Sequence, residues 1–262
     1  IGNQGPDIAA SYGQDRNRCE LRAGGTAVFV GAGGPMGQMH VQRAIERSNG
    51  PSRLVATEIN AERLDVLRAQ FTPLAEENGK TFVAFNPSAS DQSLYDLVQE
   101  LTDGQGADDV VVSVPVAAVM AEAATLMKDD GMLVFFAGVR TGTYAPLNMS
   151  LTYLHNAQYT GTSGSTLDDQ QLVIDKALAG ELSPNRSVAA VGGIEAAAKG
   201  VQAMMEGRYA GKIVIFPQLS GLPLMGLGKL KEEYPEIGET LAPGDIWTNE
   251  AERRLIETFW KA

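Results

Sequence analysis

The stretch Thr26–Gly37, TAVFVGAGGPMG, sets the architecture of this chain. Four apolar residues, Ala27 to Val30, stop at Gly31, and Gly33, Gly34 and Gly37 follow within six positions. A helix-like segment, Met36 to Arg47, comes next. A strand, a glycine corner and a helix start in this order suit a dinucleotide. Glycine lets the backbone turn tightly, and main-chain N–H groups at a positive helix end meet a pyrophosphate. The spacing is G-x-G-x-x-x-G, one residue longer than the common G-x-G-x-x-G, and Pro35 removes one donor from the turn. Gly31, Gly33, Gly34, Pro35, Met36 and Gly37 are therefore the expected phosphate cradle.

The second apolar run, Arg53 to Thr57, ends at Glu58, which lies 21 residues past Gly37. An acidic residue near that distance accepts hydrogen bonds from the adenosine ribose hydroxyls. It also repels a 2′-phosphate, so the expected cofactor is NAD rather than NADP.

Further along, strands and helices alternate. Leu64, Leu67, Phe71 and Leu74 share one helical face. Thr81–Phe85 reads as a third strand, and Leu94, Leu97, Val98 and Leu101 as a helix that Ser90 can cap. Asp109–Val114 is apolar almost throughout, as in a parallel sheet covered on both faces. An alanine-rich helix over Ala117–Met127, strands at Met132–Phe136 and Gln158–Thr160, and a capping box at Thr166/Asp169 complete the pattern. The expected fold class is α/β, a doubly wound parallel (Rossmann) sheet with a C-terminal helical extension. Residues 1–25 read as a linker remnant, with one helix around Asp7 to Tyr12, and 26–165 as the dinucleotide-binding domain. Residues 166–216 hold a helix at Ile194–Met205 and a strand at Gly211–Phe216. Residues 217–262 form an acidic extension whose last helix Asn249 caps, and whose aromatic residues are expected to dock.

Composition narrows the partners. The chain has 262 residues, a net charge of −11 and 44% hydrophobic residues. A surface of that sign repels phosphate backbones and anionic lipid, so neither nucleic acid nor membrane is expected as a partner. No apolar run approaches the roughly 20 residues of a membrane span, and no signal peptide is visible. The single cysteine, Cys19, excludes an intrachain disulfide, which fits a reducing cytoplasm.

Several stretches resemble the cofactor-binding half of the medium-chain dehydrogenases/reductases, the zinc alcohol dehydrogenase superfamily. They are VFVGAGGPMGQMHVQRAIE, LVATEINAERL, GADDVVVSVP, GMLVFFAGV and GGIEAAAKGVQAMMEGRYAGKIVIFP, and the likeness runs from about Thr26 to Pro217. The GAGGPMGQMH loop and the acidic tail look most like the sorbose-1-phosphate reductase branch. The resemblance implies hydride transfer between nicotinamide and a carbonyl or alcohol of a small-molecule substrate. It implies Asn60 and Arg63 near the adenosine, and Ser113, Val114 and Pro115 beside the crevice. It also implies Ala137, Gly138, Val139, Thr160, Gly161, Thr162 and Ser163 at the nicotinamide, and Lys212 at the pyrophosphate. Homo-oligomers are common in the family and are expected here.

The departure from the family is the missing catalytic domain. Cys19, His40 and His155 have no ligand spacing, so zinc is expected only if a domain preceding Ile1, or a separate chain, supplies the ligands. The catalytic residues stay unassigned, and the isolated chain is expected to be nearly inactive. His40 and His155 read as structural. A methyltransferase also uses a glycine loop with an acidic strand tip, and a non-catalytic NAD-binding module fits the same corner; both stand as alternatives. No tyrosine has Lys four residues on, which speaks against a short-chain dehydrogenase.

Overall fold

A computed structural model describes residues 21–161 and 164–260. The chain divides into two compact units, 1–165 and 166–262. Cys19, the expected Asp7–Tyr12 helix, Thr162 and Ser163 lie outside the described residues.

The first unit is built on a six-stranded sheet. Its strands are β1 (Thr26–Val30), β2 (Arg53–Thr57), β3 (Thr81–Phe85), β4 (Ala107–Val112), β5 (Met127–Phe135) and β6 (Gln158–Gly161). They stand in the order β3-β2-β1-β4-β5-β6, and every pair is parallel. This is the doubly wound order, and the chain reverses direction across the sheet between β1 and β4. The helices are α1 (Pro35–Glu46), α2 (Ala61–Glu77), α3 (Leu94–Leu101), α4 (Ala117–Ala124) and α5 (Ser150–His155).

Side chains of a strand alternate between faces. In β1, Ala27 and Phe29 join a core with Val41, Ala44 and Ile45 of α1 and Leu64, Leu67 and Phe71 of α2. Val28 and Val30 join the opposite core with Leu94 and Val98 of α3 and Met120 and Ala123 of α4. Both faces are covered, so β1, β2 and β4 are buried along nearly their whole length. The apolar run in the sequence comes from this double covering.

Element ends follow local chemistry. Pro35 opens α1, where its missing N–H is no loss. Asn60 caps α2 by accepting from the Arg63 N–H at 3.0 Å. Ser93, not the expected Ser90, caps α3, because the helix begins at Leu94 and the Ser93 hydroxyl accepts from the Asp96 N–H at 3.0 Å. Strand β5 starts earlier than the Met132 expected, since Met127 already pairs with Ala107 before the irregularity at Asp129–Gly131.

The entry to β1 is clamped by two neighbouring carboxylates. Asp108 accepts from the Thr26 N–H at 2.8 Å, and Asp109 from the Arg22 N–H at 2.7 Å. Lys128 and the Arg22 side chain balance Asp108 at 2.6 and 3.4 Å. Burial pushes the Asp109 carboxyl from its ordinary 3.8 up to about 6.

The second unit opens with α6 (Leu167–Leu178), where Thr166 and Asp169 form the expected capping box. It then forms a three-stranded sheet of order β8-β7-β9, from β7 (Val188–Gly193), β8 (Lys212–Phe216) and β9 (Met225–Gly226). Strands β7 and β9 were not expected. Val188–Gly193 ends in two glycines, and β9 has two residues, too short for any period to register. Helices α7 (Ala197–Met205), α8 (Leu227–Glu233), α9 (Pro235–Gly238) and α10 (Asn249–Phe259) accompany this sheet. The aromatic tail folds into this unit's own core, with Trp247, Leu255 and Phe259 packed among Val191, Phe216 and Leu219. Thr248, one residue before the expected Asn249, caps α10 through the Ala251 N–H at 3.0 Å.

Candidate dinucleotide site

The carboxyl ends of β1, β2 and β4 open onto a cavity of about 610 Å³. Its volume lies within the range of small-molecule and cofactor sites. Of the residues expected at a cofactor, Gly31, Gly34, Glu58, Arg63, Ser113, Val114 and Pro115 line it together. Sequence reasoning missed Thr57, Ile59 and Ser88 in the lining, and the acidic Glu122. Thr57 carries the one signal that was available, a hydroxyl at the tip of a buried strand.

The loop after β1 is shaped by contacts that differ at each glycine. Gly31 has φ +76°, and a Cβ there would meet Val114 Cγ2 at 2.2 Å. Its N–H donates to Thr57 Oγ1 at 3.1 Å, while the Ala32 N–H donates to the Thr57 carbonyl at 2.8 Å. Gly37 rests on Ala32, where a Cβ would lie 2.5 Å from the Ala32 Cα. These two glycines serve the turn and the seating of α1. Gly33 lies under Glu58, and a Cβ would fall 2.0 Å from Oε2. At Gly34 a Cβ would meet nothing within 4 Å, and its φ of −80° suits any residue. The fold alone therefore does not require glycine at 34.

Glu58 is 9% exposed and fixed at both ends. Its N–H donates to the Phe85 carbonyl at 3.0 Å, and its Oε1 accepts from the Asn60 N–H at 2.9 Å. Oε2 remains over Gly33 at the rim of the cavity. Asn60 thus has two roles, holding the Glu58 carboxylate through its N–H and starting α2 through its side chain.

Gln38, absent from the expected set, is 3% exposed in the first turn of α1. Its Nε2 donates to the Gly33 carbonyl at 2.9 Å, and its N–H to the Gly34 carbonyl at 3.0 Å. Pro35 and Met36 begin α1, and Met36 is exposed.

Other expected residues are not in the cavity lining. Ala137, Gly138 and Val139 follow β5, where the Ala137 N–H donates to the Val112 carbonyl at 3.0 Å and Val139 is exposed. Thr160 and Gly161 end β6, opposite Val134 and Phe135 of β5. Lys212 belongs to the second unit, where it opens β8 and pairs with Val188. His155 Nδ1 meets Asp129 Oδ2 at 3.1 Å. His40 packs edge-on to Phe136 at 4.3 Å, and burial lowers its pKa.

The cavity leaves room for a cofactor-sized ligand. Gly34 leaves the loop open to close approach, and the fixed Glu58 carboxylate, an acceptor for hydroxyl or amine donors, stands in the lining. The described residues do not fit a zinc ion, since no cluster of three or more His, Cys, Asp or Glu is placed to hold a metal among them.

Comparison with known proteins agrees with this geometry. The sequence profile of the zinc-binding dehydrogenase family matches residues 35–179. Mannitol-1-phosphate 5-dehydrogenase of Aliivibrio fischeri (strain ATCC 700601 / ES114) is 29% identical over 248 residues, covering 91% of this chain and 58% of that protein. L-sorbose 1-phosphate reductase of Klebsiella pneumoniae is 28% identical over 238 residues, 90% of this chain and 56% of that protein. The chain thus spans a little over half the length of these curated relatives. Among solved structures, 2R,3R-butanediol dehydrogenase from Bacillus subtilis superposes with a TM-score of 0.60 at 23% identity, over 77% of this chain and 53% of that one. An alcohol dehydrogenase from E. coli CFT073, complexed with cofactor NADH, gives a TM-score of 0.56 at 17% identity, over 71% and 50%. With the profile spanning more than half of its residues, the chain belongs to the zinc-binding dehydrogenase family, within the medium-chain dehydrogenases/reductases.

Proposed function

We propose that this chain is the NAD(H)-binding portion of a polyol or sugar-phosphate oxidoreductase. One observation carries the reading: the Glu58 carboxylate, held by the Asn60 N–H, lies over Gly33 beside the open position at Gly34. In this reading Glu58 accepts hydrogen bonds from the adenosine ribose, with Arg63 near the adenosine. The loop Gly31–Gly37 receives the pyrophosphate at the N-terminus of α1. Ser113–Pro115 flank the crevice, and Ala137–Val139 and Thr160–Ser163 serve the nicotinamide. The bound nicotinamide supplies the hydride chemistry, and the residues of this chain bind and orient it.

The relatives act on sugar phosphates and polyols by their names, which supports a small-molecule substrate of that class. The substrate-activating groups are assigned to a catalytic domain outside this chain, upstream or in trans. Any zinc belongs to that domain. The reading includes a cytoplasmic setting, supported by the single cysteine, and a homo-oligomer, supported by the family resemblance. No described helix is long and apolar enough to cross a membrane.

Isothermal titration of the chain with NADH, NADPH and S-adenosylmethionine tests the reading. The expected result is binding of NADH, weaker binding of NADPH because Glu58 repels the 2′-phosphate, and no binding of S-adenosylmethionine. Glu58→Ala weakens NADH while narrowing its advantage over NADPH. Failure of the chain to bind NADH, or tight S-adenosylmethionine binding, refutes the proposal.

A further inference from the structure

Gln38 lies outside the cavity lining, yet it holds two consecutive carbonyls of the glycine loop. Its side chain takes the Gly33 carbonyl at 2.9 Å and its N–H takes the Gly34 carbonyl at 3.0 Å. A trans peptide unit is planar, with C=O and N–H pointing to opposite sides. No described peptide is cis. Drawing the Gly33 carbonyl toward the buried amide of Gln38 therefore turns the Gly34 N–H the other way, on a residue that lines the cavity. The next residue, Pro35, has no N–H to offer.

We propose that Gln38 is a positioning residue for the pyrophosphate: its amide fixes the Gly33–Gly34 peptide so that the Gly34 N–H presents to the ligand. The inference rests on the NAD(H) reading above and assigns no contact between Gln38 and the ligand. A glutamine serving only to satisfy buried polar groups would affect all ligands of the cavity alike. A positioning glutamine affects those that carry the pyrophosphate.

The test compares ADP-ribose with adenosine on the whole chain by calorimetry. Gln38→Met keeps the length and volume of the side chain but removes the donor. ADP-ribose affinity is expected to fall on the order of tenfold, the worth of one hydrogen bond, while adenosine affinity is unchanged. Gln38→Asn retains an amide but draws it back by one methylene, and gives the same split. It also keeps the test readable if the methionine variant folds poorly. An unchanged ADP-ribose affinity, or an equal loss for both ligands, overturns the assignment. If the unaltered chain binds neither NADH nor ADP-ribose, the proposed function fails and this inference with it. If it binds both and the variants bind ADP-ribose as the unaltered chain does, only this inference fails.

Discussion

Substituting Gly33 by alanine separates the role of the fold from that of the ligand. A Cβ at position 33 would lie 2.0 Å from Glu58 Oε2, 2.6 Å from its Cδ and 2.7 Å from its Cγ. Ordinary contact begins near 3.4 Å, so the carboxylate has to retreat by about 1.4 Å, the difference between 3.4 and 2.0. Because Cγ is blocked as well, rotation of the terminal carboxylate does not relieve the contact. The retreat breaks the 2.9 Å bond from the Asn60 N–H. A hydrogen bond to a charged group is worth about 1.5–3 kcal/mol. For a unit of this size each kcal/mol lowers the melting temperature by about 2–4 °C, so a fall of roughly 3–12 °C is expected. Under the proposed ribose contact, NADH affinity falls about a hundredfold, the worth of two charge-assisted hydrogen bonds. Thermal melts and NADH titrations of Gly33→Ala, Glu58→Ala and the double variant form a cycle. With the Glu58 side chain gone, the alanine at 33 should cost under about 0.5 kcal/mol, giving a coupling of at least about 1 kcal/mol. Additive single effects, or a Gly33→Ala chain that binds NADH normally, would refute the clash.

Three further outcomes follow from particular contacts. Gly34→Val should leave the melting temperature nearly unchanged, because the fold leaves space at that position, yet abolish measurable NADH binding; a destabilised variant, or one that still binds, would count against the crevice assignment. Asp109 is held at about 6 against 3.8 for an ordinary carboxyl, so its contribution to stability is complete below about pH 4 and is lost as pH rises through 6. Asp109→Asn, which keeps an acceptor for the Arg22 N–H, should flatten that dependence and stabilise the chain at pH 7 by up to about 3 kcal/mol; urea midpoints from pH 4 to 8 check the sign, and a variant less stable at pH 7 would contradict it. Leu255 is fully buried with Trp247 and Phe259, so Leu255→Ala should cost about 2–5 kcal/mol in urea unfolding, and a loss under 1 kcal/mol would mean that the tail does not share that core.

Much of the first unit is set by local rules. Alternating strands and helices, four glycines after an apolar run and an acid at the second strand tip specify a doubly wound sheet with its crevice beyond β1, β2 and β4. The continuous apolar character of Ala27–Val30 and Val110–Val112 already signals two covered faces. These features are legible because each depends on a few neighbouring residues and a fixed period. The individual duty of each glycine is not legible. Gly31, Gly33 and Gly37 are fixed by Val114, Glu58 and Ala32, and the first two partners lie in distant segments. Gln38 has no sequence signal beyond a polar residue in the first turn of a helix, and its role depends on where the Gly33 carbonyl points. Asp109 reads as a strand residue, and only its burial in the folded unit, against the pull of Arg22, raises its affinity for a proton. Strand β7 exists by pairing with β8 and β9, and β9 by pairing with β7, which no short window can record. The sequence by itself determined the sheet, its crevice and the family. The tertiary structure decided which groups meet at the crevice, because close approach and burial are set by residues far apart in the chain.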